Sequence, residues 1–355
     1  CWGYNGHGRT GYETSSDNTG DDLSEIWGDN LAFVDLGTGR TATQIDAGEK
    51  HTCALMDDGS VKCWGYNAYG QLGIGNTSSI GDDANEMGDH LASADLGTGR
   101  FAISIAVNSD SSCAILDSGV LKCWGYNSGM LGQEHSENIG TGADLDGNGI
   151  SCHPILDTAT NTRECNSRMG DGLPAIDLGN GRTAHSISIG YTHICAILDN
   201  GSVKCWGPNS YGQTGLGETS GTTGDSVGEM GDELGTVDVG GSNVVEISAG
   251  RFHTCVILYT LESACWGYNA YGQLGIGTSD NVDSTEEMGS NLVAADLPSS
   301  RSLQIIAGNL MSCAITQYDN VVCWGEDEGG RLGVYRITED NVGDSSGELG
   351  DALVI

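Results

Sequence analysis

Basic residues are scarce in this chain. Its 355 residues hold 14 lysines and arginines against 49 aspartates and glutamates, a formal net charge of −35. Nucleic-acid binding needs clustered positive charge on phosphates, so that function class is excluded. Anionic membrane surfaces are disfavoured for the same reason. Proline is rare, with four residues, and no Pro/Ser-rich linker divides the chain. No apolar run reaches the 18 or so uncharged residues of a membrane-spanning helix, so no membrane insertion is expected. Few windows place apolar residues at i, i+3, i+4 and i+7, whereas two-residue alternation is common, which argues against helices and for strands.

Glycine (57 residues) and cysteine (13) are plentiful instead, and both recur on a period. The triplet Cys-Trp-Gly begins at Cys1, Cys63, Cys123, Cys205, Cys265 and Cys323. The unit is about 60 residues, with roughly 20 more inserted between the third and fourth copies. "CWGYNAYGQLGIG" at 63–75 returns unchanged at 265–277. Each unit runs from an alternating stretch such as "TATQIDAG" through a cysteine-bearing segment, a Tyr/Gly-rich turn and an acidic stretch such as "GDDANEMGDHL", and ends in "DLGTGR" or a variant. Glycines at fixed repeat positions mark turns and close backbone approach rather than disorder.

Within the unit two cysteines stand ten apart, at Cys53/Cys63, Cys113/Cys123, Cys195/Cys205, Cys255/Cys265 and Cys313/Cys323. A turn pair such as Asp58-Gly59 lies near the midpoint, so the segment reads as a β-hairpin. Centring the turn there sets Cys53 opposite Cys63 and Leu55 opposite Val61. Opposed Cβ atoms lie close enough for a disulfide. Five copies of the spacing predict five cross-strand bridges, each worth roughly 2.5–3 kcal/mol in the chain-entropy model. Cys152 and Cys165 both fall in the 138–168 insertion and are predicted to pair with each other. The partner of Cys1 would stand ten positions before the first residue, and "ELGDALVI" stops where other copies continue. The sequence therefore reads as a piece of a longer chain, truncated at both ends. A regular cysteine framework points to an oxidising compartment, extracellular or at the cell surface.

Units of this size with several short strands read as blades that bury one another's faces. The expectation is one all-β repeat domain spanning 1–355, with 138–168 as a disulfide-pinned insertion between blades.

Two stretches imitate a serine-hydrolase elbow, "GDSVG" at 224–228 and "GDSSG" at 343–347. The second copy has "GDDAN" in that slot, so the slot keeps its acid and drops its serine, which argues for a turn rather than a nucleophile. His51, His193 and His253 stand two residues before a cysteine, where other copies have Ser111 and Met311. A residue recurring once per blade reads as a strand residue bonded to the next blade. No histidine pair has metal-ligand spacing.

The best ion-binding candidate is "ADLDGNGIS" at 143–151. Asp144, Asp146 and Asn148 alternate as in the first half of a calcium loop, and Asp157 offers a further oxygen. Ile155 stands where an EF-hand carries glutamate. The acidic loops repeat as Asp82/Glu86/Asp89, Asp225/Glu229/Asp232 and Asp344/Glu348/Asp351, with Asp283/Glu287 followed by Ser290 in the fifth copy. Such carboxylates suit calcium, but the favoured reading is a solvated loop whose methionine packs inward and whose aspartates cap turns. Arg40, Arg100, Arg182 and Arg301 close the "DLGTGR" slot. Each is expected to tie its loop to a neighbouring blade's carboxylates in an interior pair. Asn76 and Asn200 open glycosylation sequons.

The segment "HTCALMDDGSVKCWGYNAYGQLGIG" at 51–75 has counterparts at 113–132, 193–217, 253–277 and 313–333. It resembles the repeat of the regulator of chromosome condensation family, whose core is His-x-x-Ala-Leu-x-x-x-Gly-x-Val-x-x-Trp-Gly-x-Asn-x-x-Gly-Gln-Leu-Gly. The resemblance implies a β-propeller of four-stranded blades, seven in the best-known members; six blades, or with an unusual closure seven, are expected here, and the cysteine spacing adds one intra-blade disulfide per hairpin. Members that exchange guanine nucleotide on a small GTPase are intracellular and lack systematic disulfides, and their wedge and histone-contacting residues map nowhere here. The cysteine-rich form looks like secreted or cell-surface repeats assigned to binding or architecture, and a fold does not carry function with it. The expectation is a non-enzymatic extracellular structural or protein-interaction module, a building block of a cell-surface or filamentous assembly that self-associates into a polymer. The alternative is a soluble recognition propeller binding a glycan or protein on one face. Calcium is the one cofactor considered, and nucleotide exchange is disfavoured.

Overall fold

A computed structural model of the chain describes residues 1–14, 18–19, 32–142, 155–156, 163–164, 169–298, 301–333, 341–345 and 347–350. These fall into two compact units, one of Cys1–Ser128 with Ser136–Ile176, the other of Gly129–His135 with Asp177–Ile355. The first unit holds sheets β1–β3 (Ala42–Ala47, His51–Met56, Val61–Gly65) and β4–β6 (Ala102–Asn108, Ser111–Leu116, Leu121–Gly125), and a short ribbon β7–β8 (Ile155–Leu156, Arg163–Glu164). The second holds β9–β12 (Ala184–Ile189, Ile194–Leu198, Val203–Pro208, Thr222–Thr223), β13–β15 (Val244–Ala249, His253–Leu258, Ser263–Gly267) and β16–β18 (Ser302–Ala307, Met311–Thr316, Val321–Gly325).

All five repeat sheets are antiparallel meanders, the blades of a β-propeller fold. The middle strand is covered on both faces; in β2 and β5 polar residues at the start are followed by apolar ones, and every residue is buried. The first strand alternates, and a register shift near its start recurs in every sheet, as between Ala42 and Gln44. Such a bulge adds local twist. The hairpin register is the one the cysteine spacing predicts, with Cys53 opposite Cys63 and Leu55 opposite Val61. Disulfides join 53–63, 113–123, 195–205, 255–265 and 313–323 across Cα separations of 4.0–4.1 Å. Cys152 and Cys165 lie outside the described residues, and Cys1 is a free thiol.

The expected fourth strand is much reduced. Among the described residues only β12 pairs over two residues, Gly207 with Thr223 and Pro208 with Thr222. Elsewhere it shrinks to one bridge: Gly65–Ile80, Gly125–Ile139, Gly267–Val282 and Gly325–Val342. Segments such as "GNTSSIGDD" are too rich in glycine and turn formers, and too poor in alternating apolar residues, to sustain a ladder.

Neighbouring blades within each unit are joined through side chains. Trp64, Trp124, Trp206, Trp266 and Trp324 are fully buried. Four donate Nε1–H at 2.9–3.0 Å to a carbonyl in the preceding repeat's Gly-rich turn: Trp64 to Arg9, Trp124 to Gln71, Trp266 to Gln213 and Trp324 to Gln273. Trp206 finds no acceptor. The turn that should serve it, "NSGMLG" at 127–132, is one residue shorter than "NAYGQLG", with Met130 in place of the glutamine. The first strands also interlock. Gln44 donates to the Ile105 carbonyl at 2.7 Å and accepts from its amide at 3.0 Å. Asp46, Ser188 and Ser248 accept from the amides of Val107, Ala249 and Ala307.

Candidate interaction surface

One end of each sheet carries the turn between its first and second strands and the exit of its third strand. Two devices build this end. The glycine of every Cys-Trp-Gly triplet takes positive φ (Gly65 at +108°), and a Cβ on Gly65 would sit 2.6 Å from the Lys50 carbonyl oxygen. Only glycine lets the backbones close, so the amides of Tyr66, Tyr126 and Tyr268 donate to the carbonyls of Lys50, Asp110 and Phe252 at 2.9 Å. The next residue, asparagine, organises the turn beyond. Asn67 accepts from the Leu72 amide and donates to the carbonyls of Asn76 and Ser78, all at 2.9 Å, and Asn269 repeats this. The frame thus holds the tyrosines of "GYNAYG" at the sheet end.

In the first unit His7, Tyr66, Tyr69 and Tyr126 follow one another at centroid distances of 4.8, 6.0 and 5.0 Å. Lys50 lies 5.5 Å from the Tyr66 ring and 2.9 Å from an Asp110 oxygen, and that bond raises its pKa. In the second unit Tyr211 stands 4.8 Å from Tyr268 and 5.1 Å from Phe252, and Tyr271 lies 6.3 Å from Tyr268. Burial raises the Tyr268 pKa, with neighbouring Tyr271 and Tyr211 adding to it. Arg251 stacks beside two rings, 4.9 Å from Tyr191 and 5.1 Å from Phe252. Tyr126 and Tyr191 are 40% and 39% exposed. The first unit also has an open cavity of about 610 Å³ lined by Trp2, Tyr4, Arg9, Ile45, Asp46 and Glu49 among others.

The histidines read from sequence as blade-to-blade residues are just that. Their Nε2 atoms meet hydroxyls of the next blade: His51 with Ser112 at 2.8 Å, His193 with Thr254 at 2.7 Å and His253 with Ser312 at 2.9 Å. Burial lowers their pKa values to about 4, 3 and 4, so they stay neutral in the interior. The elbow-like serines sit in turns: Ser226 and Ser345 donate to the adjacent Asp225 and Asp344.

The acidic loops follow the capping reading. Glu86 accepts from the amides of Gly81, Asp82 and Asp83, and Glu229 from those of Gly224, Asp225 and Ser226. Met87 and Met230 are buried beneath. Asp89 accepts from the amide and hydroxyl of Thr38, and Asp171 from those of Thr98, which lowers both carboxyl pKa values. Among the described residues no group of three or more His, Cys, Asp or Glu is placed to hold a metal ion. The calcium candidates Asp144, Asp146, Asn148 and Asp157, and Asp351, lie outside the described residues.

The arginine expectation needs correction. Arg40 pairs with Asp57 at 3.2 Å and with Asp58, Arg100 with Asp117 at 3.1 Å, and Arg182 with Asp199 at 3.3 Å. These aspartates belong to the same blade's hairpin turn. The loop feeds straight into the first strand, which lies beside the strand leading to that turn. The pairs are also about a third exposed rather than interior, so each is worth about 0–1 kcal/mol. Sequon residues Asn76 and Asn200 are exposed, and their Oδ1 atoms accept from the amides two residues on.

The aromatic ends were missed from sequence, although "GYNAYG" recurs.

The model of the regulator of chromosome condensation repeat matches residues 42–71, 184–213 and 244–273. The chain is 24% identical over 350 residues to the ultraviolet-B receptor UVR8 of Arabidopsis thaliana, covering 96% of this chain and 63% of that protein. It is 24% identical over 298 residues to the mitochondrial RCC1 domain-containing protein RUG3 of the same plant, covering 83% and 56%. The match to human E3 ubiquitin-protein ligase HERC2 is 25% over 290 residues, 81% of this chain and 5% of that one. This chain therefore spans less than two thirds of these relatives. Among solved structures, human WBSCR16 superposes with a TM-score of 0.59 at 19% identity, covering 85% of this chain and 65% of that one. Prp20p of Saccharomyces cerevisiae, whose structure was described with its binding to Gsp1p and histones, gives 0.58 at 18%, covering 86% and 63%.

Proposed function

We propose that this chain, built of regulator of chromosome condensation repeats folded as β-propeller blades, acts as a non-enzymatic, extracellular or cell-surface protein-interaction module. It presents the aromatic blade ends to its partners and contributes to an assembly at the cell surface. The observation that carries this reading is the pair of partly exposed tyrosine rows, Tyr66/Tyr69/Tyr126 and Tyr211/Tyr268/Tyr271, held by a hydrogen-bonded backbone frame. Tyrosine and arginine are prominent among the residues that carry protein-interface energetics, and phenylalanine is enriched there; tyrosine buries much area at low entropic cost. Disulfides fit an oxidising compartment, which weighs against the intracellular exchange-factor role. The likeness to Prp20p supports protein partners. Buried, neutral histidines bonded to hydroxyls are structural, which supports the non-enzymatic reading.

A photo-activatable phenylalanine analogue at position 268, expressed in the source organism, tests this. Protein adducts that are absent when the analogue stands at Ser60, on the hairpin turn, support the reading. Polysaccharide adducts alone, or none, overturn it.

A further inference from the structure

Arg251 is unusually placed for an acidic chain. Acids outnumber bases 49 to 14, and Arg40, Lys50, Arg100, Arg182 and Arg331 have carboxylate partners, while Arg9, Lys62, Lys122 and Lys204 donate to backbone carbonyls of the frame. No carboxylate among the described residues lies within ion-pair distance of Arg251. Its Nη1 donates at 3.2 Å to Asn309 Oδ1, a neutral acceptor, and its Nε is shielded from water with no acceptor. The Tyr191 and Phe252 rings lie 4.9 and 5.1 Å from the guanidinium carbon. Nη1 is engaged and Nε is shielded, so an incoming carboxylate meets the N–H donors of Nη2 in a charge-assisted bond.

We propose that Arg251, Tyr191 and Phe252 form an anchor that receives one carboxylate of a partner protein. The carboxylate is an Asp or Glu side chain, or the chain terminus, next to an apolar side chain that packs on Phe252 and Tyr211. This rests on the interaction reading above and specifies the partner at the same surface. Charge narrows it further. A net charge of −35 repels a polyanion as a whole, so the carboxylate stands alone in a neutral or basic stretch. Two ring faces beside an arginine are the composition of an interface hot spot, which favours protein over sugar. Phe252 offers the stacking face, and Tyr211, 5.1 Å away, continues it.

The probes are N-acetyl-phenylalanine, its uncharged amide and methyl glucuronide, titrated by NMR into the full chain, Arg251→Gln and Arg251→Lys. The acid is expected to bind at least tenfold tighter than the amide. Arg251→Gln should erase that difference, and Arg251→Lys should restore part of it, since lysine keeps the charge but lacks the planar guanidinium that the two rings hold in place. Equal affinities for acid and amide, or an Arg251→Gln affinity within twofold of wild type, overturn the anchor. Glucuronide binding as tight as the acid overturns the protein assignment in favour of an acidic sugar. Each variant must keep its five disulfides on a non-reducing peptide map; a variant that loses them is replaced by Arg251→Met. The two readings fail separately: adducts at position 268 that persist in Arg251→Gln keep the interaction module while the anchor falls.

Discussion

The two units use one frame to make two different surfaces. In the first, the turn between first and second strands carries Glu49-Lys50 and then Ser109-Asp110, and Lys50 and Asp110 neutralise each other at 2.9 Å. In the second, the same turns carry Tyr191-Thr192 and Arg251-Phe252, and the cation lies among rings instead of carboxylates. Backbone bonds behind these turns are the same, Tyr66 to Lys50 and Tyr268 to Phe252, both 2.9 Å. The interior fixes where side chains emerge, and two turn residues per blade decide their chemistry.

The largest expected difference between the units is acid sensitivity. Folded His51, His193 and His253 have pKa values of about 4, 3 and 4, below the ordinary 6.5. Below pH 6.5 the unfolded chain therefore binds protons that the folded chain refuses. Stability is full above that pH and falls down to about 4, by about 1.4 kcal/mol per pH unit per histidine. The second unit holds two such residues and the first one. Burial raises Asp46 in the first unit and Glu246 in the second, which works the opposite way once in each. Hydrogen exchange at pH 7 and pH 5, corrected for intrinsic rates, should show β9–β18 opening more than β1–β6. Equal changes would break the comparison.

A second contrast lies in the tryptophans. Trp124→Phe removes an indole bonded to the Gln71 carbonyl, whereas Trp206→Phe removes one with no acceptor. Denaturant unfolding should find Trp124→Phe costlier by about 1 kcal/mol. Smallest is the surface pair. Lys50→Met should cost less than about 1 kcal/mol, and less still in high salt, because the lysine is over a third exposed. A larger thermal shift would mean that the pair is structural.

What was legible in the sequence follows from the kind of signal each feature leaves. Cysteines ten apart around Asp58-Gly59 fix a register, because side chains in a hairpin oppose one another with period two. Histidines recurring once per blade pointed to the blade interface, where they sit. Arg40 was misassigned because a repeat slot identifies a position and not a partner. Both its own and the next blade's turn offered aspartates, and only the path of the loop chooses. Family likeness suggested a full fourth strand, but "GNTSSIGDD" keeps just the residue that bridges Gly65. The exposed rings left no separate signal, and Arg251-Phe252 stands out only when the five turns are laid side by side on the fold.

The most direct test exchanges that turn. Arg251→Glu with Phe252→Lys copies residues 49–50 into the second unit, and N-acetyl-phenylalanine is titrated into the product. The expected result is an unchanged non-reducing disulfide map with at least tenfold weaker binding of the acid. Binding as tight as wild type with the map intact would contradict the claim that turn residues on a constant frame set what this chain recognises.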